Sequence, residues 1–202
     1  MPDVRLATSA DLPAVGRTLA AAFVGDPIWE WMVPPSPTWK RRASAFYGAE
    51  ARLRHGHGDG AAGEVWVDDQ VRGAALWASP GAWRTTLRQT LAITVPSVRF
   101  IRGRIVRGLR VLSAVEGEHP ADPPHWYLAY LGTDPEHQGH GIGSALIEAV
   151  TSRCDEQGLG AYLESSKESN VAFYARHGFE VRRRFELPGG PPMWLMWREP
   201  KG

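Results

Sequence analysis

The sequence has little cysteine, no long apolar run and almost no excess of charge of either sign. A single cysteine, Cys154, in 202 residues excludes an internal disulfide. With 23 lysines and arginines against 22 aspartates and glutamates, the net charge is +1, which gives no argument for nucleic-acid binding. No apolar run reaches the roughly 20 residues that span a membrane, and no basic-then-apolar leader follows Met1. We therefore expect a soluble, cytoplasmic protein with neither nucleic-acid nor membrane partners.

The pattern of apolar residues predicts one domain that mixes strands and helices. Because 43% of its residues are hydrophobic, the chain can bury a sizeable core, and it has no internal repeat or low-complexity linker. Predicted antiparallel strands flank a strand–helix–strand unit between residues 125 and 165. This arrangement predicts an α/β or α+β fold over residues 1–202, with a mixed central β-sheet flanked by helices.

A helical insertion is expected before the central strand. Apolar residues recur at steps of three and four between Trp83 and Val115, with a break predicted near Pro96. Four arginines fall on the opposite face: Arg99, Arg102, Arg107 and Arg110. They suit either an acidic acceptor and cofactor phosphates or, more commonly, the solvated face of an amphipathic helix.

Two smaller features have ordinary structural interpretations. Cys154 falls on the apolar stripe of the predicted helix after the central strand, so a buried structural thiol is expected. His55-Gly56-His57 places two histidines two residues apart beside a glycine, which is typical of a solvated turn. No metal site is predicted.

The most informative segment is His125–Val150, HWYLAYLGTDPEHQGHGIGSALIEAV. An apolar strand, Trp126–Leu131, precedes three closely spaced glycines and a helix that begins near Ile142. The glycines are Gly139, Gly141 and Gly143. Glycines let the backbone approach a ligand, and the unpaired N–H groups at a helix start attract phosphate. Taken alone, the glycines fit equally well a tight turn that binds nothing.

Three glycine-rich motifs can be compared with this turn. A P-loop needs lysine and then serine or threonine after its last glycine, where this chain has Ser144-Ala145. The dinucleotide fingerprint needs a third glycine or alanine where this chain has Ser144 or Leu146, although Glu164 lies where its ribose-binding acid is expected. The pattern Q-x-x-G-x-G is satisfied in full by Gln138–Gly143. That segment resembles the acyl-CoA-binding motif of the GNAT N-acetyltransferases.

A second segment resembles the same family. Asn170–Phe179 reads N-x-x-F-Y-x-x-x-G-F, which looks like the segment after the second central strand of GNAT proteins. Asn170 and Tyr174 are four residues apart and share one helical face. Phe173 and Tyr174 alone would be interpreted as core aromatic residues, but their distance from Gln138–Gly143 favours the family resemblance.

The resemblance implies a single GNAT-like domain that transfers an acetyl group from acetyl-CoA, its cosubstrate, directly to a primary amine. Tyr174 would protonate the departing thiolate, as in the family. Glu164 is the first candidate for the base, against the alternative of a structural carboxylate, and Asp26 and Glu30 are weaker candidates. The residues implied to bind acetyl-CoA are Leu131, Gly132, Thr133, Gln138, Gly139, His140, Gly141, Ile142, Gly143, Ser144 and Asn170.

The acceptor is less well defined by the sequence. Residues 1–23 and 125–200 look like the subgroup that contains puromycin N-acetyltransferase, although His140 stands where that subgroup often has lysine. Residues 24–124, which should select the acceptor, carry little resemblance. The proline-bounded segment Ile28–Met32 is either a surface loop or a lip over the acceptor pocket. That pocket would be lined by aromatic residues among Trp29, Trp31, Tyr47 and Trp83.

Three functions are consistent with these residues. The first is an N-acetyltransferase acting on a small-molecule amine, such as an antibiotic or another metabolite. The second is an acetyltransferase for protein or peptide amines, and the third is a non-catalytic acyl-CoA-binding sensor. A homodimer is compatible with each of them.

Overall fold

The computed structural model describes residues 2–33, 35–55, 63–84 and 86–201. Its strands are β1 Val4–Leu6, β2 Gly63–Asp68, β3 Gly73–Ala78, β4 His125–Thr133, β5 Gly160–Ser165, β6 Glu180–Glu186 and β7 Pro192–Arg198. Its α-helices are α1 Leu12–Ala22, α2 Pro27–Met32, α3 Trp39–Glu50, α4 Leu87–Ile101, α5 Ile105–Glu118, α6 Ile142–Gln157 and α7 Val171–Arg176. Short turns of other helix types lie at Ala51–His55, Pro135–His137 and Glu168–Asn170.

The strands form one mixed sheet in the order β1-β2-β3-β4-β5-β7-β6. Only β4 and β5 pair in parallel, joined by the crossover helix α6, while the other neighbours pair antiparallel. The mixed sheet flanked by helices and the helical insertion before the central strand, both predicted from the sequence, are confirmed. The tail strand β7 lies between β5 and β6 in the sheet. Strands β5 and β6 are consecutive in the chain and are connected through α7, but they are not hydrogen-bonded to each other.

The central strand β4 bends away from β5 halfway along its length. The pairing with β5 joins His125–Leu128 to Gly160–Leu163 and goes no further. On its other side, β3 pairs Leu76 with Tyr130 and Trp77 with Leu128, so Ala129 is an extra residue in a β-bulge. A bulge increases the local twist and bends its strand. The second half of β4 therefore presents, towards a gap beside β5, an edge that pairs with no strand of the described chain; this is the unpaired edge of β4 below.

The two faces of the sheet bury separate cores. Leu76 and Trp77 are neighbours in β3 and point to opposite faces, as the period of a strand requires. Leu76 packs in the core that α1 and α3 cover, and Trp77 packs in the core that α6 covers. Cys154 is buried in the second core, where desolvation raises the pKa of its thiol to about 11 and keeps it protonated.

The helical insertion differs from its prediction in the position of its break, and it leaves many apolar side chains exposed. Helix α4 continues through Pro96, and the break comes at Arg102 and Gly103, which both have positive φ. Proline removes one backbone hydrogen bond, and a helix can continue after it. Two consecutive residues with positive φ, in contrast, end the helix. An amphipathic helix ordinarily buries its apolar face, but eight apolar residues of α4 and α5 are exposed: Leu87, Leu91, Val95, Val98, Ile105, Val106, Leu109 and Leu112.

Three further sequence expectations can be compared with the structure. The segment Ile28–Met32, expected to be a surface loop or a lip over the acceptor pocket, forms α2 with Asp26 as its N-cap, and Ile28, Trp29 and Met32 of this helix line the large cavity described below. Arg107 of the predicted basic strip donates to the carbonyl oxygen of Trp31 at 2.7 Å, whereas the other three arginines are exposed. The segment His55-Gly56-His57 lies outside the residues whose side chains are described.

No helix in the described part of the chain is both long and apolar enough to cross a membrane.

The crossing of α1 and α3 depends on a close backbone approach at Gly16. A Cβ at Gly16 would overlap the carbonyl oxygen of Ser44, whereas a Cβ at Gly48 in the same interface would lie 3.5 Å from its nearest neighbour. We predict that Gly16→Ala lowers the free energy of unfolding by about 1–3 kcal/mol, because overpacking outweighs the helix propensity of alanine. Gly48→Ala is the matched control and should be neutral or stabilising by up to about 1 kcal/mol. Equal effects of the two variants in urea denaturation would contradict this account of the crossing.

Candidate active site

One large cavity lies over the gap between β4 and β5. Its volume is about 1110 Å³, and it is lined by the second half of β4, the glycine turn, the ends of β5 and α7, and helices α2, α4 and α5. Because β4 runs antiparallel to β3, alternate backbone groups of residues 129–133 point away from β3 and towards this cavity. An extended ligand can therefore hydrogen-bond to the unpaired edge as an additional strand.

The glycine turn forms an open cradle at the start of α6. Gly139 and Gly141 have φ values of 79° and 80°, which are left-handed conformations that favour glycine. Gly141 is the N-cap and offers no side-chain acceptor, so the first-turn N–H groups of α6 stay available for a ligand. A Cβ at Gly143 would lie 3.3 Å from the ring of Phe173. These features fit a pyrophosphate, because backbone donors and the helix dipole converge on the turn.

The cavity contains all but one of the residues that the sequence predicts for acetyl-CoA binding and catalysis. Those that line it are Leu131, Gly132, Thr133, Gln138, Gly139, Gly141, Ile142, Gly143, Ser144, Glu164, Asn170 and Tyr174. His140 does not line it, since this exposed ring lies 2.9 Å from the carbonyl oxygen of its neighbour Gln138. Ile142 contributes only its backbone, because its side chain is buried in the core.

Tyr174 sits in α7 with an environment suited to a proton donor. Burial raises the pKa of its phenol, and the nearby carboxylate of Asp26 adds to the shift. The hydroxyl therefore keeps its proton throughout the neutral range. The raised pKa makes this phenol a weaker acid than an ordinary tyrosine, but its proton is present for a thiolate that develops beside it.

Glu164 lies near the end of β5, and only 4% of its side chain is exposed. Its Oε1 atom accepts no hydrogen bond from the described residues, and Nδ1 of His119 lies 3.6 Å from it. The candidate base is therefore a buried carboxylate held beside an imidazole.

A model of the acetyltransferase (GNAT) family matches residues 26–179, which is more than half of the chain. The chain belongs to the GNAT acetyltransferase family. The finer resemblance to the puromycin N-acetyltransferase subgroup stays a prediction.

Relatives and solved structures agree with this assignment. The chain is 29% identical, over 89% of its length, to a mycothiol acetyltransferase of Catenulispora acidiphila, and 37% identical over 40% of its length to an uncharacterised N-acetyltransferase of Schizosaccharomyces pombe. It covers 59% and 34% of those two proteins, less than two thirds of either.

The fold is shared with solved acetyltransferases. A Corynebacterium glutamicum structure described as histone acetyltransferase HPA2 and related acetyltransferase is 24% identical, with a TM-score of 0.70 over 100% of this chain and 97% of that one. The polyamine N-acetyltransferase of Drosophila melanogaster is 14% identical, with a TM-score of 0.61 over 98% of this chain and 100% of that one. At these identities the likeness supports the GNAT-like fold predicted from the sequence and nothing finer.

Of the two weaker candidates for the base, Asp26 lines the cavity of this GNAT domain and Glu30 does not. Asp26 is buried, and its carboxylate accepts hydrogen bonds from the backbone N–H groups of Ile28 and Trp29 and from the hydroxyl of Ser166. Desolvation raises the pKa of Asp26, but these three donors make it a cap that ties α2 to the end of β5. Glu30 is exposed and does not line the cavity.

The far end of the cavity is an apolar compartment. Trp29 and Trp83 line it, as the sequence suggested, whereas Tyr47 is fully buried in the core and Trp31 faces elsewhere. The rest of the apolar lining comes from α2, α4, α5 and β7, including Ile28, Met32, Ile93, Ile101, Val111 and Met193. Acidic groups also line the cavity: Asp26, Glu50, Glu116 and Glu164.

His119 is a cavity residue that the sequence did not identify. It follows α5 directly, and its ring stacks on Trp83 with 3.9 Å between centroids. Its Nε2 atom lies 3.1 Å from Nε2 of His125, the first residue of β4. Both histidines lie in or beside a polar, proline-rich stretch, and their meeting depends on tertiary structure, so no local pattern indicated them. The described residues contain no group of three or more potential metal ligands.

Proposed function

We propose that this protein transfers the acetyl group of acetyl-CoA to the primary amine of a small, largely apolar molecule. The observation that carries the proposal is a single cavity that joins four parts. These parts are the unpaired edge of β4, the glycine cradle, the pair Tyr174 and Glu164, and an apolar compartment with acidic groups.

Acetyl-CoA would bind along the first two of these parts. The pantetheine arm would pair with the edge at Leu131–Thr133 as an extra strand, with Asn170 beside it, and the pyrophosphate would sit on the amides of Gln138–Ser144. A backbone N–H of the same edge would polarise the thioester carbonyl. His140 lies outside the lining and would contribute little to this binding.

Transfer would then proceed by direct attack. Glu164 takes a proton from the acceptor, whose neutral nitrogen forms the C–N bond to the thioester carbonyl carbon. As the tetrahedral oxyanion collapses, the C–S bond breaks and Tyr174 donates its proton to the departing thiolate, while the positively charged nitrogen releases its extra proton to solvent to give the neutral amide. The phenol regains a proton from solvent after the products leave.

The shape and chemistry of the acceptor compartment favour a small molecule. An ammonium group is attracted by the acidic residues, while an apolar body fills the space between α2, α4 and α5. A relative matched over 89% of this chain is named a mycothiol acetyltransferase. A peptide or protein amine is the second candidate, because several apolar residues at the rim of the cavity are exposed and leave it open: Val98, Ile105, Leu109 and Leu112.

The glycine cradle generates a binding prediction. Gly139 and Gly189 both have positive φ and no atom within 4 Å of a Cβ, but only Gly139 lines the cavity. Alanine costs each position about 1 kcal/mol of backbone strain. We expect Gly139→Ala to raise the Kd for acetyl-CoA at least about tenfold in isothermal titration calorimetry, because strain and the added methyl group both act at the cradle. Gly189→Ala should bind as the wild type does, and equal affinities for the two variants would place the pyrophosphate elsewhere.

The catalytic assignment generates a second prediction. We expect Tyr174→Phe to lower acetyl-CoA-dependent thiol release by about 10²-fold or more, since the variant cannot protonate the thiolate. Acetyl-CoA affinity should be retained. Tyr47→Phe removes another buried tyrosine hydroxyl, one outside the cavity, and should keep full turnover. The acceptors to compare are arylalkylamines, polyamines, puromycin and amino-terminal or lysine peptides.

Each outcome of that comparison has a definite meaning. Turnover with an apolar small amine that falls in Tyr174→Phe supports the proposal. Turnover with peptides alone supports the second candidate. Saturable acetyl-CoA binding without thiol release for any amine would contradict an enzymatic role and favour a sensor.

A further inference from the structure

We propose that His119 shares a single proton with Glu164, so that the base of this site is a carboxylate–imidazole pair rather than a lone carboxylate. His119 acts through Glu164 and is a positioning residue in this account. The proposal rests on the proposed function for its catalytic meaning. The position of the proton itself is inferred from the geometry of four groups: the side chains of Glu164, His119 and His125 and the carbonyl of Pro123.

His125 and Pro123 lie at the end of this chain of contacts that is farthest from Glu164. Nδ1 of His125 lies 2.7 Å from the carbonyl oxygen of Pro123. A carbonyl can only accept, so Nδ1 of His125 carries a proton and donates it. Burial lowers the pKa of His125, so the ring is neutral and its Nε2 atom bears a lone pair.

That lone pair determines the tautomer of His119. Nε2 of His119 lies 3.1 Å from Nε2 of His125 and must donate to it. The ring cannot turn away, because it stacks on Trp83 and contacts the rings of Tyr127 and Tyr162 edge-on. In neutral His119 the second nitrogen, Nδ1, is therefore an acceptor, and its position is fixed towards Glu164.

Two acceptors then face each other out of water. Nδ1 of His119 and Oε1 of Glu164 are 3.6 Å apart, and the two side chains are 1% and 4% exposed. No donor among the described residues reaches Oε1 of Glu164. A buried lone pair opposite a buried carboxylate is unfavourable, and one proton between the atoms turns this contact into a charge-assisted hydrogen bond. The geometry therefore favours proton uptake by the pair.

This proton balance fits the reaction. When the acceptor amine loses a proton, the pair gains it, and the proton lies between Oε1 of Glu164 and Nδ1 of His119. No electron transfer and no other reactant is needed, and the pair returns the proton to solvent at the end of the cycle. A lone carboxylate would have no internal hydrogen bond to strengthen as it takes up the proton.

Other titratable or charged groups near the pair do not replace either member. Tyr162 is buried beside Glu164, and its pKa is raised by burial first, then by the charge of Glu164 and by the interaction of its hydroxyl with that carboxylate. The phenol therefore stays protonated, but its hydroxyl lies beyond hydrogen-bond distance of Oε1 of Glu164 and cannot take up the proton of the acceptor. Glu118 precedes His119 but pairs with Arg183 at 2.8 Å near the surface. The remaining groups around the ring or in the cavity are Tyr127, Glu116 and Arg84, whose guanidinium lies over Trp83.

The first test is the pH profile of kcat/KM for the best acceptor. The asparagine of His119→Asn can donate to Glu164 but cannot take a proton. We therefore expect a loss of at least about tenfold at neutral pH. The acidic limb should move to lower pH by about half a unit or more, because the amide favours the ionised carboxylate. The KM for acetyl-CoA should not change.

Glu118→Gln is the matched control, since it removes the charge next to His119 in the chain without touching the pair. The acidic limb of the Glu118→Gln profile should stay within about 0.3 pH units of the wild type, because the charge of Glu118 is already balanced by Arg183, 2.8 Å away. The proposal would be overturned if the acidic limb of the kcat/KM profile did not move in His119→Asn. It would also be overturned if the limb moved by the same amount in Glu118→Gln.

The second test needs no substrate. Long-range ¹H–¹⁵N correlation spectra of the ¹⁵N-labelled wild type, assigned with His119→Asn and His125→Asn, report the tautomer of each ring. We expect His125 protonated at Nδ1 and His119 at Nε2, with His119 gaining its second proton at lower pH in Glu164→Gln than in the wild type. The opposite tautomer of His125, or a titration of His119 that Glu164→Gln does not change, would overturn the proposal. The predicted spectra in a protein that acetylates no amine would refute the proposed function alone.

Discussion

The parting of β4 from β5 after Leu128 is the constraint on which the rest of the site depends. Two parallel strands that stayed paired to their ends would leave no backbone donors free and no cavity between them. The extra residue at Ala129 bends β4 while β3 still holds its other edge, so the strand stays rigid where it is unpaired. The sheet thus offers a ligand a preformed edge in its interior, where neighbouring elements can place side chains on both sides.

Contacts around this gap hold its walls at fixed positions. A Cβ at Gly132 would lie 2.7 Å from Ala22, so the second half of β4 sits directly against α1. On the opposite wall, Arg198 of β7 forms a two-pronged ion pair with Asp155 of α6 at 2.6 and 2.7 Å and donates to the carbonyl oxygen of His177 at 3.0 Å. Arg198 therefore connects the end of α7, the helix that carries Tyr174, to α6, whose first turn forms the cradle. This connection helps to hold the proton donor and the cofactor site at a fixed distance from each other.

Sequence reasoning succeeded where the structure is locally encoded. The glycine turn, the helix that begins at Ile142 and the sheet flanked by helices follow from residue types and their spacing. The family resemblance then placed Glu164 and Tyr174 in one site, and the structure brings both to one cavity. These features depend on residues close together in the chain.

Features that depend on distant contacts were not predicted. The insertion of β7 between β5 and β6, the bulge at Ala129 and the pairing of His119 with Glu164 each join segments that carry no mutual signal in the sequence. The break between α4 and α5 was misplaced for a different reason. Pro96 is a strong breaker in isolation, but a capping box at Thr86 and packing at Ile93, Phe100 and Ile101 hold the helix through it.

The most direct test of the account is a crystal structure of the protein with coenzyme A. The account predicts the pantetheine arm hydrogen-bonded to the edge at residues 129–133, the pyrophosphate on the amides of Gln138–Ser144, and the sulfur within hydrogen-bond reach of the Tyr174 hydroxyl. Coenzyme A bound outside the gap, or bound in it with its sulfur pointing away from Tyr174 and Glu164, would contradict the central claim that the parting of β4 and β5 builds the active site.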